Sequence, residues 1–450
     1  MAQAFSSSER VIERGRLLRV LGLGFGIAVG VGGIIGGGIL RAPSSVLNHV
    51  PLPWLALLLW AFGAMHALLG ANIVAEVMTS IPKSGGLFNV AGRAFGGFGA
   101  LLVGWTDWLG NVGGIAALSI AAAEFLAIIF PSVGTHVPLV GAAVALVLCL
   151  LNWAGIREGS LAQIVISAAK AILLITLTIL IFLSVPAHLT SVAPFPPGLG
   201  ISLLGMIVAY QLVIGAYAGW VSPAYFAEED VNPGRNIPRS LFGSILAVAA
   251  IYLLMNAALL YALPVARIRS SDLPISLAAA NILGRSTVAV VAAVAVVTVL
   301  GCINATILLA TRILHGLARD GFLPLLISRV NRGGTPDAAL GATAVVGVLL
   351  ALTGSFETVF LVTGALAVFG NALIDVSFFK LRRSEPSLTR PYTAVGYPWL
   401  PIIALILDAG LVVAFLAADL RSALFMAAAV AMCIPLTLIA RRRSRIERMQ

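Results

Sequence analysis

Gly30-Val31-Gly32-Gly33-Ile34-Ile35-Gly36-Gly37-Gly38 sets six glycines in nine residues, inside a stretch apolar enough to cross a membrane. A spanning helix closes its backbone hydrogen bonds internally, because lipid offers no partners. Glycine costs a helix about 1 kcal/mol per residue relative to alanine. A membrane helix that concentrates this liability in one place is expected to break there. Such breaks are tolerated only where the freed backbone lines a buried or watery cavity, and a cavity of that kind is where a solute would bind.

The surroundings fit a membrane chain. Of 450 residues, 60% are hydrophobic and only 10% charged, and the mean hydropathy is +1.04; a soluble domain of this size does not look like that. Runs of about 20 apolar residues read as spans. They fall near 20–40, 53–78, 90–123, 137–153, 161–185, 200–227, 240–263, 287–313, 338–353, 358–380, 399–417 and 422–440. The expectation is an all-α integral membrane protein of twelve transmembrane helices. Residues 1–19 form a cytoplasmic segment, 20–440 one membrane domain and 441–450 a basic cytoplasmic tail. Residues 1–19 carry no long apolar core, so a cleaved signal peptide is not expected.

A net charge of +10 could point to nucleic acid, but its distribution argues otherwise. With the N-terminus in the cytoplasm, 22 of the 28 lysines and arginines fall on cytoplasmic segments and only Arg41, Arg267, Arg269, Arg285 and Arg421 outside. The bias supports an even number of spans with both termini cytoplasmic, in the plasma (inner) membrane. Anionic lipid is the expected counter-charge, and no nucleic-acid partner is expected.

A second interruption lies in span 6, at Gly215-Ala216-Tyr217-Ala218-Gly219-Trp220-Val221-Ser222-Pro223. Interrupted helices at matching positions in two halves point to a transporter's binding site. Spans 1 and 6 are five apart, so residues 20–185 and 200–380 would form a 5+5 inverted repeat, with discontinuous helices 1 and 6 and two extra C-terminal helices over 399–440. Cys149, Cys302 and Cys433 all fall in spans, far apart in sequence, so they form no metal spacing or disulfide framework. Gly30-x-Gly32 lacks a third glycine at Ile35 and follows no strand, so it is not a nucleotide fingerprint. No cofactor or metal is expected.

Three segments resemble the amino acid–polyamine–organocation superfamily of transporters, which share the LeuT-type fold. Gly30–Leu40 is similar to its GxGxxIGxGIF unwound segment, and Pro82-Lys83-Ser84-Gly85-Gly86 to its P-(R/K)-x-G-G turn. Ala216–Trp220, with Ala227-Glu228-Glu229-Asp230-Val231-Asn232-Pro233-Gly234-Arg235-Asn236-Ile237-Pro238, resembles FAYxGW…EE…NPxRNxP, the version typical of the L-type amino acid transporter branch. Val221 stands where that pattern has Asn, which removes a polar group.

An amino acid presents a carboxylate and an ammonium, and burying either unpaired is costly. Amides at a half-helix N-terminus carry free donors and positive partial charge, so Gly36, Gly37 and Gly38 are candidates for the carboxylate. Carbonyls near Ile34 and Ile35, with Gly215, Ala216 and Ala218, are candidates for the ammonium. Close helix packing is the competing explanation of the glycines, through the GxxxG pairs Gly22/Gly26, Gly26/Gly30, Gly32/Gly36 and Gly33/Gly37; it is preferred for Gly22 and Gly26. The resemblance implies that Trp220 covers the substrate or gates its route. Lys170 lies mid-span, where a lysine costs about 2.5–3.5 kcal/mol on insertion scales and normally carries function. In sodium-independent relatives a lysine at the matching place stands in for a sodium ion. Asp107 in span 3 is a candidate pocket or proton residue, with structural pairing as the alternative. Arg41 reads as a vestibule or gate residue, and Glu228, Glu229, Arg235 and Arg239 as an ion-pair cluster or a solvated loop. Glu124, Asp375, Asp408 and His66 are intramembrane polar residues with no assigned role.

These features lead to a secondary transporter of neutral L-amino acids working by alternating access, sodium-independent, by exchange or proton symport. The alternative within the class is a carrier of cationic amino acids or polyamines, with Asp107 holding the extra charge. From other classes, an embedded enzyme lacks HExxH, GxSxG and paired metal ligands, and a channel lacks a repeated filter. The expected partners are the amino acid substrate, lipid and protons. No cysteine lies in an extracellular loop, so no disulfide-linked accessory subunit is expected.

Overall fold

The computed structural model describes residues 21–83, 85–153, 159–184, 202–284, 287–331, 335–353, 356–418 and 420–447. The segment 1–19, Arg157, Arg285, Arg332 and Arg448, which entered the charge distribution, lie outside them. Apolar runs bounded by proline and glycine become helices: α1 (Leu23–Ile34), α2 (Gly37–His49), α3 (Pro53–Ser80), α4 (Phe88–Ile129), α5 (Val137–Trp153), α6 (Gly159–Ser184), α7 (Leu203–Tyr217) and α8 (Pro233–Ala262). There follow α9 (Val265–Arg269), α10 (Pro274–Leu283), α11 (Thr287–Arg319), α12 (Asp337–Thr353), α13 (Phe356–Ser384), α14 (Trp399–Ala418) and α15 (Leu420–Glu447). Pro53, Pro233 and Pro274 open their helices, where a missing N–H is no loss. Ser202 caps α7 by accepting from the Gly205 amide at 2.9 Å.

Among the described residues, nine helical stretches are long and apolar enough to cross a membrane. Three shorter apolar helices, Ser167–Leu183, Asp337–Thr353 and Ser422–Leu438, coincide with the fifth, ninth and twelfth apolar runs of the sequence. The described residues hold no strand; a single parallel bridge joins Leu21 to Asp230. α4 lies at the centre, packed against α5, α11, α12, α13 and α15. Its Ala116, Ala117, Ala121, Ala122 and Ala123 are fully buried, and small side chains of this kind let membrane helices approach closely.

Both interruptions are present. α1 ends at Ile34, Ile35 and Gly36 are extended, and α2 begins at Gly37. Arg41 closed the apolar run in the sequence, yet α2 continues to His49, and within it the Arg41 guanidinium is paired with Glu124 and with Asp272 at 3.3 Å. The second interruption follows Tyr217: Ala218 is extended, Gly219 has φ +95°, and the chain resumes as a short 3-10 turn over Ser222–Phe226. The two breaks touch. A Cβ on Gly219 would stand 2.5 Å from the Gly33 carbonyl oxygen, and one on Gly38 2.8 Å from the Ala216 Cα. Gly26 and Gly30 pack on Ser240 and Ser244 of α8, whereas Gly22 faces open space, so the packing explanation holds for Gly26 and not for Gly22.

Glu76, near the end of α3, holds down the segment between α13 and α14. Its buried carboxylate accepts from Arg382, from Arg390 Nε at 3.0 Å and from the Ala394 amide at 2.7 Å. One turn earlier, Asn72 accepts from Tyr392 at 2.8 Å and from the Val395 amide at 2.9 Å, and donates to the Val395 carbonyl at 2.9 Å.

The contact between the breaks gives a stability prediction. Gly219→Ala adds a left-handed backbone penalty of about 1–2 kcal/mol to a collision with backbone, and should lower the unfolding midpoint of the detergent-solubilised protein. Gly24→Ala, in open space, should not. Equal midpoints for wild type and Gly219→Ala would remove the contact as a structural requirement.

Candidate functional site: a cavity at two helix breaks

A cavity of about 200 Å³ opens where the breaks meet. Gly33, Ile34, Gly36 and Gly38 line it from the first break, and Gly215, Ala216, Ala218, Gly219 and Trp220 from the second. α4 contributes Asp107 and Asn111, α11 Cys302 and Thr306, and α13 Phe360 and Asn371. Of the residues singled out in the sequence, Ile34, Gly36, Gly38, Gly215, Ala216, Ala218, Trp220 and Asp107 therefore face one space. Ile35, Gly37 and Lys170 do not line it. A Cβ on Gly37 would meet Leu118 and Ala121 of α4, so this glycine serves packing.

Helix geometry supplies donors here. The first amides of α2 have no carbonyl one turn earlier to bond, and Gly36 and Gly38 bring that end to the cavity wall. The carbonyls already hold protein donors. The Tyr252 hydroxyl of α8 lies 2.8 Å from the Ile34 carbonyl and 3.1 Å from that of Ala216, so one proton is shared between the two broken ends. The Ile35 carbonyl accepts from Lys170 Nζ at 3.5 Å, the Gly33 carbonyl from the Cys302 thiol at 3.7 Å, and the Gly215 carbonyl from the Ala218 amide at 3.1 Å. Lys170 is 3% exposed. Its ammonium is thus spent on the first break rather than offered to solvent. Each carbonyl keeps a second lone pair.

Asp107 is held by neutral groups. It accepts from the Tyr225 hydroxyl and from Asn111 Nδ2 at 3.0 Å. Tyr225 belongs to the 3-10 turn after the second break, and Gly86 lies against its ring, leaving no room for a Cβ. Trp220 packs on Gly70 of α3 and closes one wall. Gln211 was not singled out from the sequence, although a glutamine inside an apolar run was a visible signal. It lines the cavity, is 3% exposed, and its Nε2 has no hydrogen-bond partner. Tyr252 gave no such signal, since a tyrosine within an apolar helix is ordinary.

Charged clusters lie on either side of Asp107. Glu124 is about 25 Å further along α4 by helical rise; there Arg41 joins it to Asp272 and sits 5.3 Å from the Phe356 ring centre. Past Tyr225, Glu229 pairs with Arg312 of α11 at 3.9 Å, and Arg312 stands over the Phe226 ring at 4.9 Å. Burial pushes the Glu229 carboxyl up, against the pull of Arg312. His66, Asp375 and Asp408, unassigned in the sequence, come together with Tyr210 beside the cavity.

A family profile described as amino acid permease matches residues 17–439. The serine/threonine exchanger SteT of Bacillus subtilis is 26% identical over 400 residues, covering 87% of this chain and 90% of that protein. The mouse b(0,+)-type amino acid transporter 1 is 28% identical over 408 residues, 88% of this chain and 82% of its own. The branched-chain amino acid permease BcaP of Bacillus subtilis is 25% identical over 415 residues, with 86% and 84% covered.

Tyr252→Phe tests the bridge between the broken ends. It leaves two buried carbonyls short of a donor, at about 1–3 kcal/mol. The expected outcome is a lower unfolding midpoint with the apolar packing of the ring intact; an unchanged midpoint would mean that the hydroxyl is dispensable.

Proposed function

The chain belongs to the amino acid permease family and moves amino acids, and from that premise we propose that its substrates are neutral L-amino acids, carried without sodium by exchange or proton symport. The cavity at the two breaks carries the reading. Its size suits a small solute, free amides at the start of α2 suit a carboxylate, and the backbone oxygens of the same region suit an ammonium. Most of the remaining wall is apolar, which suits an uncharged side chain. Relatives named for serine/threonine and for branched-chain amino acids support the same range.

Lys170 supports independence from sodium. A fixed ammonium at the Ile35 carbonyl occupies the electrostatic role that a bound cation would otherwise fill at the first break. The nine long and three shorter apolar helices support twelve spans. The two interruptions support an inverted repeat of 20–185 and 200–380, with alternating access by rocking of one repeat against the other. The arginine distribution supports cytoplasmic termini in a plasma (inner) membrane. The Arg41–Glu124–Asp272 and Arg312–Glu229 pairs then stand as outer and inner gates. Cys149, Cys302 and Cys433 are buried free thiols, which supports a chain that works without a disulfide-linked subunit.

The second reading, a carrier of cationic substrates, rests on Asp107 in the cavity wall. The Tyr225 and Asn111 bonds that occupy this carboxyl favour the neutral range. In proteoliposomes, Asp107→Asn should leave labelled L-alanine counterflow within about an order of magnitude of wild type. Loss of arginine uptake alongside intact alanine uptake would instead select the cationic reading.

Replacing sodium by choline should leave counterflow unchanged, and Lys170→Ala should reduce it at least about tenfold, the scale of the 1.4 kcal/mol that one decade requires. Loss of wild-type uptake in choline would refute the role given to Lys170. Consumption of the substrate, in place of trans-stimulation, would refute a carrier.

A further inference from the structure

Four helices meet at a cluster of titratable groups that the amino acid cavity does not use. His66 lies in the middle of α3, Tyr210 of α7, Asp375 in the C-terminal half of α13 and Asp408 midway along α14. His66, Asp375 and Asp408 are 4%, 2% and 3% exposed. The His66 ring stacks on Tyr210, its Nδ1 is 2.7 Å from the Tyr210 hydroxyl, and its Nε2 is 3.1 Å from Asp408 Oδ1. The Asp375 carboxyl is in hydrogen-bond contact with that of Asp408.

The chemistry of these groups fixes how many protons they hold. Ionised carboxylates only accept, so the Asp375–Asp408 contact needs a proton between them. The Tyr210 hydroxyl donates to Nδ1, the Nε2–H donates to Asp408, and the carboxyl pair keeps one proton. That arrangement carries one negative charge. Adding a second proton to the carboxyl pair makes it neutral; removing the shared one leaves two buried like charges side by side, which proteins avoid. The cluster therefore exchanges one proton between a neutral and a singly charged form.

The surrounding elements bring no competing charge. On α3, Glu76 is committed to Arg382 and Arg390. On α13, Lys380 stands over the Phe95 ring and Glu357 faces His49. Asp107 of α4 is bonded to Tyr225 and Asn111, Tyr217 of α7 to the Trp60 carbonyl, Tyr252 of α8 to the two breaks, and Cys433 of α15 to the Ala429 carbonyl. Among the described residues no lysine or arginine pairs with Asp375 or Asp408.

The position links this proton to the cavity. α3 packs on α7 and α13 on α14, so the His66–Asp408 contact joins one pair to the other. Tyr210 adjoins Gln211, and Asn371 precedes Asp375 by one turn; Gln211 and Asn371 both line the cavity. A movement of one helix pair against the other would make or break the His66 donor to Asp408, and so change the number of donors the carboxyl pair accepts from. Linkage requires that the proton shift the same movement in return.

We propose that His66, Tyr210, Asp375 and Asp408 form a proton-binding site, separate from the amino acid cavity, through which one proton is carried with each substrate molecule. The inference rests on the reading of the chain as an amino acid carrier and selects symport over exchange alone. It is tested on the full-length protein in proteoliposomes containing a pH-sensitive dye, with labelled L-alanine. Wild type should show counterflow at equal pH, and alanine-dependent proton entry with at least tenfold accumulation under an inward proton gradient. Asp375→Asn should keep counterflow within twofold and lose proton entry and gradient-driven accumulation at least tenfold. His66→Gln, which leaves the carboxyl pair whole, should move the pH midpoint of gradient-driven uptake, so that the test does not depend on one variant folding. Alanine entry without protons in wild type, or intact proton coupling in Asp375→Asn, overturns the proposal while leaving the carrier reading standing. Absence of counterflow in wild type removes the carrier reading, and the proposal with it.

Discussion

Two interrupted helices pressed together at their breaks set the terms for the rest of this molecule. The close approach of Gly219 to Gly33 and of Gly38 to Ala216 leaves no space for a side chain between the strands of freed backbone. That backbone must still be satisfied, because lipid supplies no hydrogen bonds. One tyrosine hydroxyl, from Tyr252, serves a carbonyl on each side, and the Lys170 ammonium and the Cys302 thiol serve two more on the first break. The free amides at the start of α2 are left facing the cavity. The polar part of the cavity wall thus arises from what helix interruption exposes and what neighbouring side chains do not cover.

Several buried charges that would be costly alone are placed against an oppositely charged partner on another element. Glu76 is matched by Arg382 and Arg390, Arg41 by Glu124 and Asp272, Asp408 by His66. Asp107 differs, since its partners Tyr225 and Asn111 are neutral. These contacts run between helices far apart in sequence, so they record how the helices are arranged and also resist changes in that arrangement.

Membrane residence, the positions of the apolar helices, both interruptions and the placing of Lys170 inside a helix bundle were legible in the chain. Glycine and proline weaken a helix wherever it lies, and a lysine amid apolar residues is conspicuous without knowledge of its neighbours. The site was legible in part: Gly36, Gly38, Ala216, Ala218, Trp220 and Asp107 line the cavity, whereas Gly37 turns toward α4. A run of three glycines does not say which of them faces inward. Tyr252 passed unnoticed because it looks like any apolar-helix aromatic; Gln211 was conspicuous in its apolar run, but only the structure shows that its amide nitrogen lacks a partner.

Local chemistry, then, determined where the helices form, where they fail and which residues are expensive to bury, since those costs are paid within a few residues of chain. Tertiary packing decided the partners. His66 meets Asp408 and Tyr252 meets Ile34 across separations of hundreds of residues, and no spacing in a single sequence encodes such a meeting. It is decided by which helix faces can be brought together in lipid without leaving a polar group alone.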